Sequence, residues 1–358
     1  MIYYISVTVL CVAMGLMVKD NSIYAGTNVK QGHINRTCVF FIFFVLFMLS
    51  GFRVAVGNDY WVYRDNFERI AQDLVVSSEI GFNLVVRIVQ WFAGLDNYVP
   101  VFAAFSFITV FFFLKALYDQ SVWFAASLFL LFANGFYFSS LNTVRYYLVF
   151  AVALYSMKFV KENRHLAFLA TILVAATFHK SVLVVIPFYY LARLNWKKKH
   201  IPVVVISAAA LVGLKFVIRK LVFIIYPYYE GSYLDDGEIS YVNILKALAV
   251  LVFCLINYKT AIKDDKANTF YFNLNIGALI VFACLWYIPE TTRIGYYLSG
   301  SNIFLIPAVI KAIPDRKKKI FWTVVIGVCY TVFFAFYLRS LYATEIRILP
   351  YYNWFFAR

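Results

Sequence analysis

A chain of 358 residues that is 63% hydrophobic and 14% charged has too little polar surface to enclose its apolar side chains in a water-soluble core. A mean hydropathy of +0.76 excludes a soluble domain and points to a membrane protein. The net charge of +15 does not signal nucleic-acid binding, because the basic residues lie in short loops between apolar runs, where they set topology and favour anionic lipid surfaces.

The first apolar run, Ile2 to Val18, lacks a basic leader and a small-residue cleavage site, so it reads as an uncleaved anchor. Further runs of spanning length cover 37–52, 98–117, 121–138, 144–160, 201–218, 241–257, 270–289, 295–313 and 319–340. Together they predict about ten full transmembrane helices. The short run from Gly81 to Ala93 carries Arg87 and Gln90 and reads as an interfacial helix.

Residues 166–192 differ from these runs. His179-Lys180-Ser181 interrupts an apolar stretch flanked by Lys158, Lys161 and Arg164 before it and by Arg193, Lys197, Lys198 and Lys199 after it. Basic clusters stay cytoplasmic, so both ends lie inside. Each half has roughly 13 residues, about 20 Å of helix, too short to cross. The stretch therefore predicts a broken half-helix hairpin with His179 near its tip. This topology keeps loops 19–36, 115–120, 158–165, 193–200, 258–268 and 311–319 inside, each bearing lysine or arginine. Making 81–93 a span and 166–192 a single crossing would instead export Lys115, Lys158, Lys161 and Arg164. The fold class is thus an all-α polytopic membrane protein, one integral membrane domain over 1–358 with outer-face loops 53–80 and 219–240. A GT-C-like arrangement is compatible with it.

Cys11, Cys38, Cys254, Cys284 and Cys329 fall in apolar segments at no metal-ligand spacing and read as buried core residues. Arg64 to Arg69 pairs opposite charges at i,i+4, as on a solvated helix face. Asp235-Asp236-Gly237-Glu238 lacks the spacing of a calcium loop. No phosphate-cradling glycine loop, nucleophile elbow or zinc-binding helix is present, so no metal or cofactor is expected.

On the expected outer face four polar groups gather. They are Arg53 with Gly57-Asn58-Asp59-Tyr60 and Tyr63; Asn142-Thr143-Val144-Arg145; His179-Lys180-Ser181; and Glu290 with Arg293 and Tyr296. Arg145, Ser181 and Arg293 open helices, where backbone N–H groups and guanidinium forks suit an anion. Each arginine alone also suits snorkelling to head groups, or pairing with Asp59 or Glu290. Asp59 is either a general base or a brace for Arg53 and the tyrosine turn. His179 has the better intrinsic pKa for a base, against a structural role at a helix break.

These motifs, with the late Pro350-Tyr351, resemble the EpsG family within the wider group of Wzy-type polysaccharide polymerases. One departure stands out: Gly-Asn-Asp-Tyr replaces the Gly-Thr-Asp-Tyr common in the family. The resemblance implies a metal-independent glycosyltransferase in the bacterial cytoplasmic (inner) membrane, with its site facing the exterior. Donor and acceptor would be oligosaccharides on undecaprenyl pyrophosphate, for lipopolysaccharide, capsule or exopolysaccharide. Membrane lipids and a separate chain-length regulator are the other implied partners. Arg53, Arg145, Arg293 and Lys180 are expected on the pyrophosphate, His179 or Asp59 as base, and Tyr60, Tyr63, Asn142 and Tyr296 on sugars. A lipid-linked oligosaccharide flippase, an O-antigen ligase and a membrane O-acyltransferase are the competing readings.

Overall fold

The computed structural model of the protein describes residues 1–19, 29–74, 76, 79–95, 97–232, 235, 237–342 and 347–355. Among these residues every regular element is helical, and extended backbone pairs only in an isolated bridge between Arg53 and Asn353. Contacts group the chain into two compact units.

The first unit comprises Met1–Phe159, Arg164–Leu183 and Pro314–Arg358. It holds α1 (Ile2–Gly15), α2 (Val29–Gly51), α3 (Asp59–Ala71), α4 (Ile80–Ala93), α5 (Val99–Gln120), α6 (Phe124–Ala133), α7 (Phe136–Ser139), most of α8 (Val144–Lys161), α9 (His165–Ala176) and the long helix Arg316–Ser340. Helices α2 and α5 pack closely because Gly51 lies on Ala103, where a Cβ would come within 3.2 Å of the Ala103 Cα. Small residues let helix backbones approach where lipid removes any hydrophobic drive to associate. Phe43 and Phe47 meet Phe107 edge-on across the same interface, at 5.1 and 5.9 Å.

The second unit comprises Val160–Asn163 and Val184–Ile313. It holds α10 (Val185–Arg193), α11 (Ile201–Gly213), α12 (Lys215–Ile225), α13 (Tyr241–Ile256), α14 (Lys266–Cys284), α15 (Thr291–Ser299) and α16 (Asn302–Ala312). Helix α14 starts on an Asp265 cap, whose carboxylate accepts the Asn268 N–H. It is tied to its neighbours by amides: Asn275 donates to the Ala247 carbonyl at 2.9 Å and accepts from Asn302 at 2.8 Å. Interhelical amide bonds of this kind hold helices together in an apolar phase.

Among the described residues four helices are long and apolar enough to cross a membrane: Lys30–Gly51, Val99–Gln120, Lys266–Cys284 and Arg316–Ser340. The pair α11 and α12, bent by 69°, makes a fifth if it is one span. The other expected crossings depart from that form for visible reasons. Helix α1 has 14 residues and α13 has 16. Helix α8 carries Arg145, Lys158 and Lys161 within 18 residues. The 121–138 run breaks at Gly135, whose φ of +76° places the Tyr337 ring where a Cβ would sit, 2.5 Å from Cζ. The 295–313 run divides between Ser299 and Asn302.

The break at His179 is present: α9 ends at Ala176, and a 3-10 turn, Lys180–Val184, precedes α10. The expected interfacial segment forms α4, which buries Phe82, Val86 and Gln90 and leaves Trp91 79% exposed. Cys11, Cys38 and Cys254 are buried as expected, whereas Cys284 is half-buried and Cys329 exposed on its helix.

Candidate functional site

The first unit builds a site from four separate stretches of sequence. Gly57 sits at φ +90°, and a Cβ there would fall 2.7 Å from Asn142 Oδ1. That close approach lets the Asn142 oxygen accept the Asp59 N–H at 2.9 Å, and the Thr143 hydroxyl donates to Asp59 Oδ2 at 3.2 Å. Ala55 just upstream has φ 54°, a left-handed conformation that strains a residue carrying a Cβ. The start of α3 is thereby fixed to the turn that opens α8.

One turn into α3, the Tyr63 hydroxyl accepts the Arg145 N–H at 3.3 Å. The Arg145 guanidinium lies 5.3 Å from the centre of the Phe82 ring, and its Nη1 pairs with Glu79 Oε2 at 2.7 Å. The other Glu79 oxygen faces the Lys180 N–H at 3.4 Å. His179 stands edge-on to Tyr146, ring centres 6.1 Å apart, and its Nδ1 accepts the Ser181 N–H at 3.4 Å. The half-buried Asp59, Arg145 and His179 thus share one locality with the exposed Lys180.

Four expected site residues take structural positions instead. Arg53 is 1% exposed, its Nε donating to the Leu141 carbonyl at 2.8 Å and its Nη1 to the Ser50 carbonyl at 2.5 Å. Its guanidinium carbon lies 4.7 Å from the Phe102 ring centre. Burial lowers its pKa to about 10, countered in part by Tyr60, Tyr63, Tyr351 and Tyr137, so it stays charged at neutral pH. Arg53 is a brace under Asn142, enclosed away from any diphosphate. Tyr60 stacks on Phe102 at 4.6 Å and is buried, which pushes its hydroxyl up to about 12. Tyr63 is enclosed by Phe67, Phe82 and Phe102, and the buried Asn142 amide is committed to Asp59 and Thr143. With their faces covered, these tyrosines offer no platform to a sugar. Open aromatic surface lies next to them: Tyr98 meets Tyr60 at 6.4 Å, and Tyr98 and Trp354 line a cavity of about 440 Å³ with Val54, Leu95, Asn97 and Val99.

In the second unit Glu290 caps α15 with φ 56°, and its carboxylate pairs with Arg293 Nε at 2.9 Å. This is the pairing anticipated for Arg293, while Arg145 takes Glu79 in place of Asp59. Tyr296 receives the Asn243 amide at 3.5 Å. Burial raises the Tyr229 pKa, reinforced by Tyr228 and Glu290 and opposed by Arg293, so Tyr229 belongs to the same neighbourhood. Asp235 is taken by Arg219 at 2.5 Å, while Asp236 lies outside the described residues. Arg64 and Glu68 form the expected exposed pair at 2.9 Å.

The model of the EpsG family matches residues 36–353 of the chain. The chain belongs to the EpsG family. No curated protein and no solved structure matches it. The family is associated with polysaccharide polymerases, so this EpsG protein has a polymerase-type role in polysaccharide synthesis at a membrane. Two neighbours of the expected residues escaped the sequence reading, Glu79 in the first unit and Tyr229 in the second. Glu79 carried a signal, as a lone carboxylate one residue ahead of an amphipathic helix. Tyr229 carried none, since its place depends on tertiary packing.

Proposed function

We propose that the protein joins oligosaccharide units carried on undecaprenyl pyrophosphate at the outer face of the cytoplasmic membrane, with the lipid pyrophosphate as leaving group. The observation that carries this reading is the locking of Asp59 onto the Asn142-Thr143 turn from which Arg145 emerges. A proton acceptor and a fixed guanidinium on one turn match the two demands of glycosyl transfer. These are deprotonation of the attacking hydroxyl and neutralisation of charge on the departing phosphate.

Arg145 is assigned to phosphate oxygens, with Lys180 of the same unit as a further cation. Asp59 is assigned the hydroxyl proton. His179 is the second reading for that role. Its bond from Ser181 leaves the neutral ring with the proton on Nε2, which makes that nitrogen a donor. Tyr98 and Trp354 are assigned to stack on sugar rings. The transition state resembles an oxocarbenium ion. A flippase reading calls for a phosphate-binding path to the cytoplasm, and ligase and acyltransferase readings differ in product.

The test is polymer formation by purified protein given lipid-linked repeat units, with and without excess EDTA. A ladder of extended lipid-linked chains that persists in EDTA is expected. Unchanged single units overturn the polymerase assignment, and EDTA-sensitive turnover rescued by magnesium overturns the metal-free mechanism.

A further inference from the structure

The Glu79 carboxylate does not serve the helix it begins. Glu79 is the N-cap of α4, in extended conformation, yet its side chain makes no capping hydrogen bond. It turns away to Arg145, at 2.7 Å, with both side chains largely withdrawn from solvent at 26% and 17% exposure. Helix α4 is docked without it, through the Gly81 N–H to the Thr177 carbonyl at 2.9 Å and Gln90 to the Phe67 carbonyl at 2.9 Å. The Arg145 fork is only partly used. Its Nε is buried and has no hydrogen-bond partner among the described residues. A single carboxylate oxygen on Nη1 leaves that donor available to an anion with more oxygens.

We propose that Glu79 is a resident counter-anion on Arg145, held where a substrate phosphate oxygen binds, and that it sets which anions Arg145 admits. This rests on the reading of Arg145 as a diphosphate ligand. A diphosphate brings more charge and more acceptors than one carboxylate, so it displaces Glu79 and accepts a hydrogen bond from Nε as well. A small anion of lower charge gains too little to do so. Glu79 is therefore a specificity-determining residue for phosphate-bearing substrates, and its carboxylate keeps the cation neutralised between turnovers.

The experiment measures binding of inorganic pyrophosphate and of sulfate to the full-length protein in lipid nanodiscs by calorimetry. Glu79→Gln is expected to bind pyrophosphate roughly tenfold more tightly and to discriminate less against sulfate, with KM for lipid-linked substrate lowered more than kcat. The gain should vanish in the Glu79→Gln/Arg145→Ala double variant. Should Glu79→Gln fail to fold, Glu79→Asp substitutes: aspartate is a favoured N-cap, and its shorter arm withdraws the carboxylate, so the same direction of change is expected. Unchanged or weaker pyrophosphate binding in the folded variant overturns the inference. If Arg145→Ala still abolishes binding in that case, the polymerase reading stands alone. If Arg145→Ala leaves pyrophosphate binding intact, both readings fall.

Discussion

Replacing Gly57 with alanine tests whether the contact between the Asp59 turn and Asn142 matters for chemistry. The new Cβ meets Asn142 Oδ1 at 2.7 Å, Asn142 Cα at 3.0 Å and Asn142 Cβ at 3.2 Å, so the turn must retreat. Holding alanine at φ +90° costs about 1–2 kcal/mol. Losing the bond from Asp59 N–H to Asn142 costs about 1 kcal/mol more. Restoring the Asp59–Arg145 register at the moment of reaction then requires about 2–3 kcal/mol, a drop of roughly 30- to 150-fold in rate. Gly231→Ala is the control, because Gly231 has φ +70° with nothing within 4 Å of its Cβ position. It carries a positive-φ alanine and no collision. Polymer yield from lipid-linked units, with both variants normalised to folded protein, is the measurement. Equal activity in the two variants refutes the reasoning, since it would reduce Gly57 to a conformational requirement with no link to Asn142.

Arg53→Ala leaves the Leu141 and Ser50 carbonyls without their donor, at about 1–3 kcal/mol each, so thermal unfolding in detergent should shift well down; an unshifted midpoint contradicts the brace. Arg145→Ala, by contrast, should keep a near-normal unfolding temperature and make no polymer. Arg145→Lys should recover little activity, because an ammonium cannot present two parallel donors, and full recovery would show that charge alone suffices. Asp59→Asn and His179→Gln separate the proton acceptor: the first should abolish polymer and the second reduce it, and the reverse ranking transfers the role to His179.

Much of this fold was legible because lipid simplifies the code. The four long spans were found at 37–52, 98–117, 270–289 and 319–340 from apolar length alone, and the break at His179 from a polar triplet within an apolar stretch. Hydropathy failed where helices end for tertiary reasons. Nothing apolar marks Gly135 as a corner; the Tyr337 ring makes it one. The site followed the same division. Its inventory of Asp59, Arg145, His179 and Lys180 could be read from polar residues stranded in fat. Their pairing could not, since a span plot gives no azimuth and Arg145 chose Glu79, 66 positions away, over Asp59. Burial was equally hidden: Arg53 and Tyr60 resemble ligands in sequence and sit enclosed in aromatic packing.

The stretch 347–355 clasps the Arg53 turn through its own backbone. Val54 N–H reaches the Tyr352 carbonyl at 3.1 Å, Trp354 N–H the Phe52 carbonyl at 2.8 Å, and Gly57 N–H the Arg347 carbonyl at 3.2 Å. The Tyr4 hydroxyl donates to the Ile348 carbonyl at 2.7 Å, adding α1 to the same knot. During synthesis the loop bearing Asp59 therefore waits, half-made, until nearly three hundred further residues have left the ribosome. Premature termination between Ser340 and Arg347 yields a protein with all the described helices and an unclasped Asp59 turn.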